Sequence, residues 1–187
     1  MTPKTRKRRT VLLASVILLV LWADCMMTGY VPGLFHHPRE RWGEAALAIL
    51  READSVEVIQ LDQPTSMPRD SANQPYYGMT AKGAPITPPD EWVSRMRDAV
   101  DDSWNYEWLW HARCLPRPGV CVRFRQGSQV VDLLFCFECD LVSLAPTGQL
   151  VGRIQDRWID FRVKRSPFAD MVKEIFPNDA AIQAIGK

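Results

Sequence analysis

Histidine is scarce in this chain: three residues in 187, with His36 and His37 adjacent and His111 alone in the body of the sequence. Any Ser-His or Cys-His nucleophile would have to use His111, and a lone histidine beside tryptophans reads first as a packed or surface residue. Equally missing are a G-x-S-x-G elbow, a phosphate-binding P-loop, a dinucleotide fingerprint and an H-E-x-x-H helix, so the sequence favours a non-enzymatic role. Neither sign of charge is in excess. With 23 Lys and Arg against 22 Asp and Glu the formal net charge is +1, no global field attracts nucleic acid, and no nucleic-acid motif is present. Internal repeats and low-complexity tracts are absent too. The composition, 47% hydrophobic and 24% charged, fits one globular domain once a targeting segment is set aside.

That segment is the first thing the sequence does contain. "KTRKRR" (Lys4 to Arg9) precedes an uncharged, mostly apolar run from Thr10 to Trp22. A helix needs about 20 residues to cross the hydrocarbon core, a length the run reaches only by continuing through Asp24 to Met27. An uncleaved anchor over residues 10–27 is the expectation. A cleaved signal peptide is the alternative, although "LWADCMMTG" offers a poor small-x-small site. Cys25 makes a weak lipoprotein signal, since Trp22, Ala23 and Asp24 precede it. Basic residues before the run keep the N-terminus cytoplasmic and send the remainder outside, with Trp22 and Tyr30 suited to the membrane interface. Residues 1–29 then form a basic stub and anchor, 30–38 a tether, and 39–187 a single extracytoplasmic domain. The partners expected are the membrane, through residues 10–27, and another envelope protein.

Hydrophobic periodicity outlines that domain. "RERWGEAALAILREAD" has Trp42, Ala46, Ile49, Leu50 and Ala53 at helical spacing, and Val56 to Asp62 is apolar on both alternating faces, as an interior strand would be. Asp62 to Pro75 reads as a long surface loop, and "YYGMTAKGAP" as a second short strand. Thr87 is the expected N-cap of a helix with Pro88 at its first position, Asp90 in its first turn, and a buried stripe of Trp92, Val93, Met96 and Val100. Ser166 and Pro167 open another helix that Pro177 stops, and "DAAIQAI" forms a last one ending at Gly186. Between them Gly127 and Ser128 make a two-residue hairpin loop. Counting outward sets Phe124 opposite Val131, Val122 opposite Leu133 and Val120 opposite Phe135, with Arg123 against Asp132 on the other face. A turn at Thr147 and Gly148 would return "LVGRI" along "DLVSLA". The predicted fold class is α+β: a mainly antiparallel sheet with a three-strand meander, helices packed on one face, and an N-terminal membrane helix before it. Trp104, Tyr106, Trp108 and Trp110, at period two, would cap the core beside the sheet, with a sugar- or membrane-facing stripe as the sharper alternative. "RWIDFRVKR" (Arg157 to Arg165) reads as a solvated edge strand.

The remaining question is "LLFCFECDLV", where Cys136 and Cys139 stand three apart. In a regular strand their side chains point to opposite faces and their Cα atoms lie about 10 Å apart, beyond disulfide reach. A redox or metal-binding pair would need a turn at Phe137 and Glu138, and no glycine or proline announces one. In an oxidising compartment Cys114, Cys121, Cys136 and Cys139 are the disulfide candidates, and a bridge from Cys114 to Cys136 or Cys139 is preferred. No cofactor is expected on this reading. The alternative is zinc, or a thiol-redox site, built from His111, Cys114, Cys136 and Cys139: His-x2-Cys followed by Cys-x2-Cys supplies the four ligands of a closed tetrahedral site.

From Ala53 to about Pro177 the chain resembles a family of uncharacterised bacterial proteins marked by two linked patterns, Cys-Phe-x-Pro-Arg-His-Gly and Asp-Leu-x-x-Cys-Phe-x-Cys. The matching segments here are "CLPRPG" (Cys114 to Gly119) and "DLLFCFEC" (Asp132 to Cys139). The second match is close. The first departs, with Pro118 where the pattern has histidine. The resemblance implies that Cys114, Cys136 and Cys139 work together, and it carries no activity.

Overall fold

The computed structural model describes residues 15–20, 22, 37–62, 79–107, 116–146, 158–161 and 167–186. Its centre is a seven-stranded antiparallel sheet in the order β2-β1-β4-β5-β6-β7-β3. The strands are β1 (Ser55–Asp62), β2 (Thr80–Ala81), β3 (Tyr106–Glu107), β4 (Val120–Gln126), β5 (Gln129–Cys136), β6 (Leu141–Pro146) and β7 (Trp158–Phe161). The β4–β5 hairpin has the register its sequence predicts: Val120 faces Phe135, Val122 faces Leu133, Phe124 faces Val131 and Arg123 faces Asp132. Gly127 takes a positive φ of 55° in the tight loop, a conformation available to glycine without steric cost. The β1 strand is interior as expected, between β4 and the short β2.

Among the described residues from 37 onward the α-helices are α1 (Pro38–Trp42), α2 (Glu44–Glu52), α3 (Asp90–Asp101), α4 (Phe168–Ile175) and α5 (Ala180–Gln183). All of them contribute to one core, in which Trp42, Leu47, Leu50, Trp92, Met96, Phe168, Val172 and Ile182 cover Val58, Val122, Phe124, Leu133, Phe135, Leu144 and Phe161. Polar side chains inside this layer bond to helix carbonyls. Tyr106 donates its hydroxyl to Val100 O at 2.8 Å and Trp92 its indole N–H to Met171 O at 2.8 Å. Arg97 reaches Leu50 O and Ala53 O, both at 3.1 Å, where α2 runs out of intrahelical donors.

The opposite face carries a smaller core of Ile59, Leu61, Met79, Cys121, Leu134, Cys136, Leu141 and Trp158, and among the described residues no helix belongs to it. The α+β class, the antiparallel sheet and the one-sided helices thus agree with the sequence reading.

Several details differ. The helix expected across "RERWGEAALAILREAD" breaks at Gly43, whose φ of 82° ends α1 and admits α2 at a new angle. Helix α3 starts at Asp90, with Pro89 as N-cap, rather than at Pro88: a residue before proline is driven out of the α region, so Pro88 cannot be helical. Its buried stripe is as expected, with Ala99 added. The segment read as a solvated edge, "RWIDFRVKR", instead supplies β7, buried at all four positions and flanked by β6 and β3. The meander therefore has four strands, and "LVGRI" lies outside the described residues.

Near the N-terminus residues 15–20 and 22 are helical, with Val16, Ile17, Leu18, Leu19, Val20 and Trp22 all exposed. Among the described residues no helix is long and apolar enough to cross a membrane. The remainder of residues 10–27 lies outside them.

Candidate functional site

The chain does not run straight through "CFECD". β5 ends at Cys136, residues 137–140 form a turn, and β6 begins at Leu141. Cys139 N donates to Cys136 O at 3.3 Å, and Asp140, at φ 54°, occupies the left-handed region that aspartate tolerates better than most residues. The reversal is held from both sides. Phe161 N donates to Asp140 O at 2.8 Å, and the ring of Phe137 stacks on Phe135 with centroids 5.5 Å apart. The expectation of a regular strand, with its two sulfurs on opposite faces, is thereby overturned: Phe137 returns to the helical core, while Cys139 packs against the second core, which contains Cys136.

Arg117 N donates to Cys136 Sγ at 3.2 Å. In Pro116-Arg117-Pro118 only Arg117 has an amide hydrogen, and that hydrogen goes to the sulfur. The described end of "CLPRPG" thus meets the "CFEC" turn directly. Burial pushes the Cys136 thiol above its ordinary pKa, and the bond from Arg117 N opposes that shift.

Cys136 and Cys121 are free thiols. Disulfide pairings that use either are therefore not formed. Cys139 is disulfide-bonded. Cys121 sits between Ile59 and Leu134 in the ladder; burial, then the charge of Asp132, raises its pKa well above normal. Asp132 in turn holds Arg123 through two bonds of 2.7 and 2.9 Å.

Other anticipated site residues scatter. His37 accepts from Arg39 N at 3.1 Å as the N-cap of α1. Tyr106 is buried in β3, whereas Trp104 is 43% exposed in the 3-10 turn Ser103–Asn105. His111, Cys114, Cys25, Trp108 and Trp110 lie outside the described residues. Among the described residues no group of three or more His, Cys, Asp or Glu is arranged to hold a metal. The sequence reading missed Arg117 and Asp140. The flanking prolines at 116 and 118 could have marked Arg117 as the segment's single donor. Comparison of the chain with protein-family models, curated proteins and solved structures finds no match.

Proposed function

We propose that this protein is a single-pass membrane protein, N-terminus cytoplasmic, whose α+β domain lies outside the cell membrane and binds another envelope protein. The observation that carries this reading is the set of exposed apolar helical side chains at Val16 to Val20 and at Trp22, shortly after the basic Lys4–Arg9 segment in sequence. Each Val, Leu or Ile moved from water into an apolar phase gains about 1.5–3 kcal/mol, a driving force that a bilayer satisfies. The disulfide at Cys139 supports an oxidising compartment. Its proposed partner is Cys114, because Arg117, three residues on, already touches the Cys136 sulfur. Such a bridge would pin the "CLPRPG" segment to the end of β5 and make the cysteine cluster a staple of the fold.

Reporter fusions after Lys187 test the topology. Alkaline phosphatase activity with a dark fluorescent-protein fusion, and full-length protein retained in membranes after alkaline extraction, is the expected result; a shortened, extractable product indicates a cleaved signal peptide. Bright cytoplasmic fluorescence would sink the reading. For the binding role, a photo-crosslinking side chain in place of the exposed Trp104 is expected to give a discrete adduct in the envelope fraction, and none otherwise counts against it.

One observation favours a second reading. The turn sets Cys136 and Cys139 close in the chain with the Arg117 amide aimed at the Cys136 sulfur, an arrangement that also suits two ligands of a zinc site completed by His111 and Cys114. That site requires Cys139 reduced. Native mass spectrometry before and after reduction separates the two: zinc mass on the reduced protein supports the second reading.

A further inference from the structure

We infer that the exposed segment Thr80–Thr87 guards the β1 edge of the sheet, and that Gly83 and Pro85 are what keep this edge from pairing with a second copy of the chain. The inference is independent of the membrane topology. β1 is a strand that needs such a guard. Val56, Val58, Ile59 and Leu61 are all buried, and no glycine or proline interrupts Ser55–Asp62. Strands of this composition pair with their own kind when an edge lies open. Among the described residues β2 is the last strand on that side, whereas at the opposite edge β3 is only two residues long and limits pairing by its length.

The segment follows β1 without being a regular strand. Thr80 stands opposite Asp62 and Ala81 opposite Leu61, Lys82 N donates to Gln60 O at 2.8 Å, and Ile86 exchanges bonds of 2.8 and 2.9 Å with Val58. From Lys82 to Ile86 the segment advances four residues while β1 advances two, from Gln60 to Val58, so residues 83–85 bulge. Gly83, at φ 81°, makes the bend. An added Cβ there would meet nothing within 4 Å, so backbone conformation and not space calls for glycine.

The bend and the prolines together decide what the edge offers. Alternation along the ladder directs the main chain of Ala81, Pro85 and Thr87 away from β1, toward any incoming strand. Pro85 has no N–H to give, and Pro88 and Pro89 follow directly. Outward N–H groups are left at Ala81 and Thr87, on opposite sides of the bulge, where one straight strand cannot meet both. Lys82 fastens the segment from a third direction. Its Nζ lies 3.5 Å from Asp179 Oδ2, the oxygen that also accepts from Gln60 Nε2 at 2.8 Å, so the bent segment is tied to α5 as well as to β1.

Two substitutions straighten the edge. Gly83→Val disfavours the left-handed bend, and Pro85→Val restores an N–H, in a segment exposed at every position from Thr80 to Thr87. A photo-crosslinking side chain replaces the exposed Ala81 in the full-length protein in detergent, and copies joined to each other are read on a denaturing gel. The wild-type background should give the single-copy band. The Gly83→Val, Pro85→Val background should give a two-copy band that strengthens with protein concentration. An equal two-copy band in both backgrounds overturns the inference, because the edge is then open from the start. Absence of the band in both overturns it too, because something other than Gly83 and Pro85 then closes the edge. Circular dichroism verifies that the double variant is folded; should it not be, Pro85→Val alone, which leaves Gly83 in place, decides by the same band.

Discussion

Arg123 and Asp132 face each other across the β4–β5 hairpin and join through two hydrogen bonds, with side chains only 11% and 5% exposed. On the face of the sheet away from the described helices, this is a largely buried ion pair, with Glu57 opposite Arg123 in the neighbouring strand. Removing one member takes away the two bonds that neutralise the other. Asp132→Ala is therefore expected to cost about 3–5 kcal/mol, as a buried guanidinium loses its two-bond carboxylate. Replacing both, as Arg123→Met with Asp132→Leu, should lie much closer to wild type. Urea denaturation of the three proteins checks this, and a double variant as unstable as Asp132→Ala would show that the cost is not electrostatic.

Phe135 is the second place where the sheet's stability concentrates. It is fully buried, with ring centroids of Phe137, Phe161 and Phe168 at 5.5, 6.0 and 5.2 Å. Phe135→Ala should destabilise the domain by about 3–5 kcal/mol through lost burial and a residual cavity. It also removes the surface on which Phe137 stacks, so the 137–140 turn should loosen. Denaturation measures the first effect. Faster hydrogen exchange at Phe161 N, which donates to Asp140 O, reports the second, and unchanged exchange there would mean that Asp140 alone holds the turn.

Gly43 shows why one part of the chain was hard to read. An added Cβ there meets nothing within 4 Å, so no clash resists substitution, but its φ of 82° does. Gly43→Ala should cost about 1–2 kcal/mol through left-handed strain, even though alanine has the higher helix propensity. Thermal denaturation settles the sign. A stabilised variant would mean that α1 and α2 can merge into the single helix that the periodicity of Trp42, Ala46, Ile49 and Leu50 suggests.

Local signals were legible and long-range ones were not. The hairpin at Gly127 and Ser128 follows from turn chemistry and alternation over some seventeen residues, so its register could be counted from sequence. The interior character of β1 was equally plain, because Val56, Val58, Ile59 and Leu61 are apolar on both faces. The turn after Cys136 depends instead on Phe137 stacking over Phe135 and on Phe161 reaching Asp140 from another strand. Neither has a signature within "CFECD". The same holds for β7. Its charged flanks suggested an edge, but Tyr106 and Glu107 pair with Phe161 and Asp160 from some fifty residues earlier and cover it. Of the candidate site, the pairing of the two motif segments was implied by resemblance, while the donor that joins them, Arg117 N, becomes visible only in three dimensions.

Asp179 ties the last helix to the sheet, and its titration should be measurable. Its carboxylate accepts from Ile182 N at 3.0 Å as the N-cap of α5 and from Gln60 Nε2 at 2.8 Å, with Lys82 Nζ at 3.5 Å. The bond from Ile182, then that from Gln60, lowers its pKa to about 2. The unfolded value is near 3.9, so the folded state holds its proton less tightly than the unfolded one. The resulting stabilisation is fully present above the unfolded value and is lost as pH falls through about 2. Asp179→Ala should remove the cap at every pH above that window, at a cost of about 1 kcal/mol, and speed exchange of the Ile182 amide. Asp179→Asn keeps an N-cap acceptor but no charge, so the stability difference from wild type should shrink between about pH 4 and about pH 2. A difference that stays constant through that range would assign the low pKa no role in holding α5 against β1.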